Sequence, residues 1–133
     1  ENALKTGYTV DWDGDTSERG FSHANGVAIN PAVPGSNSFS GPVQEVNVTQ
    51  EIRQEGYESF DTTDDHGMHI TGLVTDQNGT KYFRTKNSWG TDQSRFQGYL
   101  NMSESYVRAK TILILVHKDA IPSTIKTKLG LSY

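Results

Sequence analysis

Cysteine is absent from the 133 residues. The chain therefore has no disulfide from which to read a redox compartment, and it supplies neither a thiolate nucleophile nor a thiolate metal ligand. Long apolar runs are absent too: the longest, Ile112 to Val116, falls far short of the ~20 residues a membrane-spanning helix needs. Positive charge is scattered rather than clustered. With 12 Lys and Arg against 16 Asp and Glu, and a net charge of −4, no cationic stripe is available for a phosphate backbone, which excludes nucleic acid as the expected partner. The chain opens Glu1-Asn2-Ala3-Leu4, without an initiator methionine or the basic and apolar regions of a secretion signal, and so reads as a fragment whose compartment is open.

What is present is a polar but globular composition, with 33% hydrophobic and 21% charged residues and a mean hydropathy of −0.63. That length suits one domain with its own core. Three Asn-x-Ser/Thr triplets, at Asn47, Asn78 and Asn101, matter only in a eukaryotic secretory setting.

Along the chain, Ala3 to Gly7 reads as a helix tail closed by glycine, and Tyr8 to Trp12 as a strand. Ser22 to Pro42 is rich in Gly, Pro, Ser and Asn and reads as a long functional or mobile excursion. Val43 to Val48 alternates like a strand. Thr49 caps a short helix with early acids and apolar positions at Ile52 and Phe60. His66 to Thr75 and Thr80 to Lys86 give the best hairpin signal, because Gln77-Asn78-Gly79 supplies the positive φ angles a tight turn needs. Gly98 to Met102 forms a further strand, Ser103 to Lys110 a capped helix of one or two turns, and Thr111 to His117 a β-branched strand expected in the core. A polar amphipathic tail follows. No internal repeat is present.

Two metal readings fail on the residues. Asp11-Trp12-Asp13-Gly14-Asp15 opens like a calcium loop, but Thr16 stands where the sharp-turn glycine belongs and Ser22 where the bidentate glutamate belongs. His23, in the excursion, and His117, at a strand end, lack a zinc ligand set. No metal or cofactor is expected.

The chemistry concentrates between Asp64 and Gly90. Strand alternation puts His66, Met68, Ile70, Gly72 and Val74 on one face and His69, Thr71 and Leu73 on the other, so the two histidines cannot serve one site. His69 is expected to be packed or solvated. A thiolate nucleophile needs an imidazole to take its proton, and that imidazole needs an oriented acceptor on its other nitrogen. The amide oxygen of Asn87, on the partner strand, can serve without adding charge. Trp89 can cover the resulting hydrogen bond. Asp64 and Asp65 either raise the pKa of His66 as neighbouring carboxylates or serve as turn acids. By spacing alone, a histidine in a strand is more often structural than catalytic.

The words around these residues are more specific. Asp65-His66-Gly67-Met68-x-Ile70-Thr71-Gly72, then Tyr82-Phe83-x-x-Lys86-Asn87-Ser88-Trp89-Gly90-Thr91 and Gly98-Tyr99-Leu100, resemble the papain superfamily of cysteine peptidases, in its bleomycin hydrolase and aminopeptidase C branch. Ala3-Leu4-Lys5-x-Gly7-x-x-Val10, Thr111 to His117 and Lys118-Asp119-Ala120-Ile121-Pro122 extend the likeness to both flanks. The resemblance implies an α+β papain-like fold of which residues 1–133 form the C-terminal half, a mainly antiparallel β-barrel with short helices. His66 matches the family's catalytic base, Asn87 its orienting asparagine and Trp89 the shielding tryptophan. Asp65 and Gly67 match the substrate-binding cleft wall. The cysteine and the oxyanion-hole glutamine belong to an N-terminal helical half that this chain lacks. That half and a peptide substrate are the implied partners, with self-association also open. The alternative is a papain-like domain retained as a non-catalytic binding or assembly module. In a two-half fold, the face bearing His66, Met68 and Ile70 is expected to be left as an exposed apolar patch.

Overall fold

The computed structural model describes residues 1–36 and 39–132. The predicted hairpin is its centre: β4 (His66–Thr75) pairs antiparallel with β5 (Lys81–Lys86). Asp76 fastens the turn, its Oδ1 accepting from the backbone N–H groups of Asn78 and Thr80 at 2.8 Å each, an arrangement short acidic side chains favour. Of the three turn residues only Gly79 takes a positive φ, +82°.

Around the hairpin the elements run α1 (Asn2–Lys5), β1 (Val10–Gly14), β2 (Phe21–Ser22), β3 (Val27–Ala28) and α2 (Gln50–Glu58), then β4 and β5, then β6 (Tyr99–Ser103), α3 (Glu104–Lys110), β7 (Thr111–Val116) and α4 (Ser123–Leu129). Among the described residues seven strands form one sheet, in the order β2-β3-β6-β5-β4-β1-β7. Every pairing is antiparallel except β3 with β6. The sheet is therefore mainly antiparallel, as expected, with one parallel pairing that makes it mixed.

Capping residues start the helices where the sequence places them. Thr49 Oγ1 accepts from Ile52 N–H at α2, and Ser103 Oγ accepts from Tyr106 N–H at 3.0 Å at α3. Trp12, Met68, Ile70, Phe83, Leu100, Met102 and Tyr106 form the core with Ala3, Val10, Ala28 and Ala120. Trp12 lies in register between Met68 on β4 and Ile114 on β7, and its indole N–H donates to Thr111 Oγ1 at 2.6 Å. Tyr106 donates from its hydroxyl to the Asp15 carbonyl at 2.6 Å. Burial pushes that phenol far above its ordinary range.

Five expectations need correction. The pairing on β4 shifts between Ile70 and Gly72; the extra residue reverses the alternation beyond it, so that Leu73 rather than Gly72 lies across from the buried Phe83. Met68 and Ile70 are each 3% exposed and belong to this chain's own core, not to an exposed patch. Among the described residues β7 is an edge strand, paired with β1, and its Leu113, Ile114 and Leu115 are 51%, 56% and 66% exposed. The 22–42 excursion contains β3, held by the parallel pairing to Asn101 and Met102; its residues 37–38 lie outside the described ones. Finally, Val43 to Val48 is irregular apart from one bridge between Glu45 and Pro31. There Glu45 Oε2 is a polar clamp, accepting from Asn30 N–H and from Ser103 Oγ.

Candidate active site

Strand ends build the site. The β4–β5 register pairs His69 with Lys86 at the end of β5, and the same antiparallel count carried one residue past that end sets Asn87 against Met68, two residues from His66. His66 and Asn87 are then diagonal neighbours on one face, a separation that side chains of this length bridge. His66 Nε2 lies 2.7 Å from Asn87 Oδ1, within the expected hydrogen-bonding range. Asn87 is 3% exposed. Its backbone N–H donates to the Gly98 carbonyl at 2.9 Å, continuing the contact between β5 and β6, and its Oδ1 also accepts from Ser88 N–H at 2.7 Å. The contact uses Nε2; no hydrogen bond to His66 Nδ1 is present among the described residues.

Trp89 lies over this pair. Its ring centroid is 4.7 Å from that of His66 at a 33° tilt, and its edge contacts reach Phe21 at 5.7 Å and His23 at 5.5 Å. It covers the histidine from one side while staying 53% exposed, and Phe96 nearby in sequence is 49% exposed.

The acids beside His66 have their own partners. Asp65 Oδ1 accepts from the N–H and hydroxyl of Thr16, at 2.9 and 2.8 Å, and its Oδ2 accepts from Ser17 N–H at 3.2 Å; the carboxylate ties the exit of β1 to the entry of β4. Asp64 faces Asp13: burial, then the Asp64 charge and a hydrogen bond between the two carboxyls, hold Asp13 above its ordinary value. Asp15 goes the other way. Burial pushes its carboxyl up, but hydrogen bonds from Thr63 N–H and from the hydroxyl and N–H of Ser17 outweigh that and leave it below the ordinary value. Gly67 pairs with Asp13 on the neighbouring strand and alternates to the face opposite His66. His69, as expected from alternation, is exposed and contacts Thr9 Oγ1 at 2.8 Å, away from the site.

Sequence reasoning missed His23. Its Nδ1 lies 3.1 Å from Asn87 Nδ2, carried there by the β2–β3 turn. Gly26 closes that turn at φ +67°, and a Cβ there would stand 2.2 Å from the Phe96 ring, so a residue without a side chain is required. No local signal marks His23, because the contact spans 64 positions. Among the described residues no group of three or more His, Cys, Asp or Glu is placed to hold a metal ion.

A family model described as "Peptidase C1-like family" matches residues 3–131. Aminopeptidase C of Lactobacillus helveticus is 36% identical over 63 residues, covering 47% of this chain and 14% of its own length. Cathepsin L of Sarcophaga peregrina is 44% identical over 41 residues, covering 31% of this chain and 12% of its own. The crystal structure of PepW from Lactobacillus rhamnosis HN001 superposes with a TM-score of 0.67 over 97% of this chain and 28% of PepW, at 16% identity, which shows a shared fold. The chain thus spans between about an eighth and just over a quarter of these proteins' lengths. With nearly every residue inside the family match, the chain belongs to the Peptidase C1-like family.

Proposed function

We propose that residues 1–133 are the C-terminal half of a papain-like cysteine peptidase of the aminopeptidase C and bleomycin hydrolase kind, supplying the base and its orienter while a helical half supplies the cysteine and the oxyanion-hole glutamine. The carrying observation is the His66 Nε2 to Asn87 Oδ1 contact at 2.7 Å beneath Trp89. Asn87 Oδ1 also accepts from a backbone N–H, so it meets His66 as an acceptor and Nε2 must be the protonated nitrogen. Neutral His66 then carries its lone pair on Nδ1. That atom takes the proton of an incoming thiol, and the thiolate attacks the peptide carbonyl. The C–N bond breaks as His66 returns the proton to the leaving amine. Water, deprotonated by the same nitrogen, hydrolyses the acyl-enzyme. Trp89 keeps water from the His–Asn bond; Asp65 and Gly67 contribute only the backbone on either side of the base, since the Asp65 carboxylate is held by Thr16 and Ser17.

The half-exposed Trp89 and Phe96 beside the site support a second half closing over it, since solvent-facing aromatics grouped at a functional edge mark an interface. The test joins this chain to the upstream half encoded with it. The joined protein is expected to hydrolyse peptide amides and to lose that activity on cysteine alkylation, whereas the 133-residue chain is inert. Activity that survives alkylation, or activity from the isolated chain, refutes the assignment.

A further inference from the structure

We propose that His23 is a positioning residue that fixes the amide of Asn87 and, through it, the tautomer of His66; its catalytic meaning rests on the function proposed above. A backbone N–H can only donate, so the bond from Ser88 N–H at 2.7 Å fixes which end of the Asn87 amide is oxygen. The Nδ2 end, a donor only, then faces His23 Nδ1 at 3.1 Å, and that nitrogen must carry a lone pair. His23 is thereby the Nε2–H tautomer. Its Nε2 is buried without a hydrogen-bond partner among the described residues. A buried N–H left unpaired is costly, and ring reversal would not remove the demand for an acceptor facing Asn87 Nδ2. The acceptor is what the position provides.

The consequence passes along the relay. With Nδ2 held by His23, the amide cannot turn over, Oδ1 continues to face His66, and neutral His66 keeps its proton on Nε2 and its lone pair on Nδ1. Without His23, only the Ser88 N–H bond distinguishes the two ends of the amide, since His66 can meet either end by changing tautomer. The turn carrying His23 is itself restrained: Gly26 N–H donates to the His23 carbonyl at 3.2 Å, Arg95 N–H to the Ala24 carbonyl at 3.2 Å, and Asn25 Nδ2 to Ser22 Oγ at 2.8 Å. Trp89 touches the rings of both histidines, so the three side chains pack as a unit around the amide.

Long-range ¹H–¹⁵N correlation spectra of the labelled 133-residue chain at mildly alkaline pH read both tautomers directly. His23 and His66 are each expected as Nε2–H. In His23→Phe, which keeps a ring beside Trp89 but removes the acceptor, His66 is expected to become a tautomer mixture and the Asn87 side-chain amide protons to exchange about fivefold to tenfold faster. His23→Asn, whose Oδ1 falls near the place of Nδ1, is expected to restore both. An Nδ1–H tautomer at His23, or an unchanged His66 tautomer in folded His23→Phe, overturns the proposal. If His23→Phe does not fold, His23→Asn decides: loss of the single His66 tautomer there overturns it equally. In the joined two-half protein, His23→Phe is expected to lower kcat about fivefold to tenfold with KM little changed. An active joined protein with unchanged kcat in His23→Phe sinks the positioning role and leaves the functional reading standing. A joined protein with no peptidase activity removes the functional reading, while the tautomers still decide His23.

Discussion

Replacing Asn87 with alanine in the 133-residue chain removes the partner of three polar groups at once: Ser88 N–H, His66 Nε2–H and His23 Nδ1, at 2.7, 2.7 and 3.1 Å. Each bond contributes about 1 kcal/mol net, and the amide is nearly fully buried, so water does not fully replace it. Part of each partner group can be rehydrated, which holds the sum to about 2–4 kcal/mol. In urea that is a midpoint lowered by about 1–2 M at unchanged slope. Asn87→Asp is the control. A carboxylate still accepts from Ser88 and His66, and His23 can switch tautomer to donate to it, so a smaller loss is expected. Equilibrium unfolding followed by circular dichroism measures both. If Asn87→Ala lies within about 0.3 kcal/mol of the parent chain, the amide is not making these bonds in solution and the construction of the site is wrong.

Gly26→Ala is expected to cost about 2–4 kcal/mol, combining a positive φ with a Cβ driven into Phe96, whereas Gly79→Ala, at φ +82° with open space around it, costs about 1 kcal/mol; equal losses by thermal melting would contradict the Phe96 contact. The acids should split by pH. Asp13 is held above its ordinary value, so its ionisation opposes folding: Asp13→Asn should raise Tm at neutral pH, with the gain fading as pH falls through the carboxylate range. Asp15 is held below its ordinary value, so its contribution is present above the unfolded carboxylate value and is lost as pH falls through the folded one; Asp15→Asn should lower Tm at neutral pH and progressively less in acid. The same sign for both variants refutes the pairing of these carboxyls. The exposed Leu113, Ile114 and Leu115 on edge strand β7 should make the isolated chain self-associate, and Leu115→Lys should return it towards monomer in sedimentation velocity; a strictly monomeric parent chain contradicts this.

The parts of the fold legible in the sequence were those with local causes. Asn78-Gly79 announces its turn, Thr49 and Ser103 announce their helices, and strand alternation separates His66 from His69. Alternation misled at Val43 to Val48, where Glu45 serves as a clamp on Asn30 and Ser103 rather than as a strand residue. It misled again beyond Thr71, because an irregularity in pairing carries no residue signature of its own. The run at Thr111 to His117 reads as a buried strand, since a continuous apolar run usually is one; its neighbours in the sheet, which no local pattern specifies, make it an edge. His23 was invisible for a related reason. Its place beside Asn87 follows from the parallel β3–β6 pairing, a long-range contact inside a segment whose composition reads as loop.

The most direct measurement is peptide-amide turnover by the joined two-half protein with and without His66. Thiol-dependent hydrolysis is expected, abolished in His66→Ala and reduced less severely in Asn87→Ala, because the amide acts through the imidazole rather than on the substrate. Full turnover in His66→Ala would place the base elsewhere and contradict the central claim.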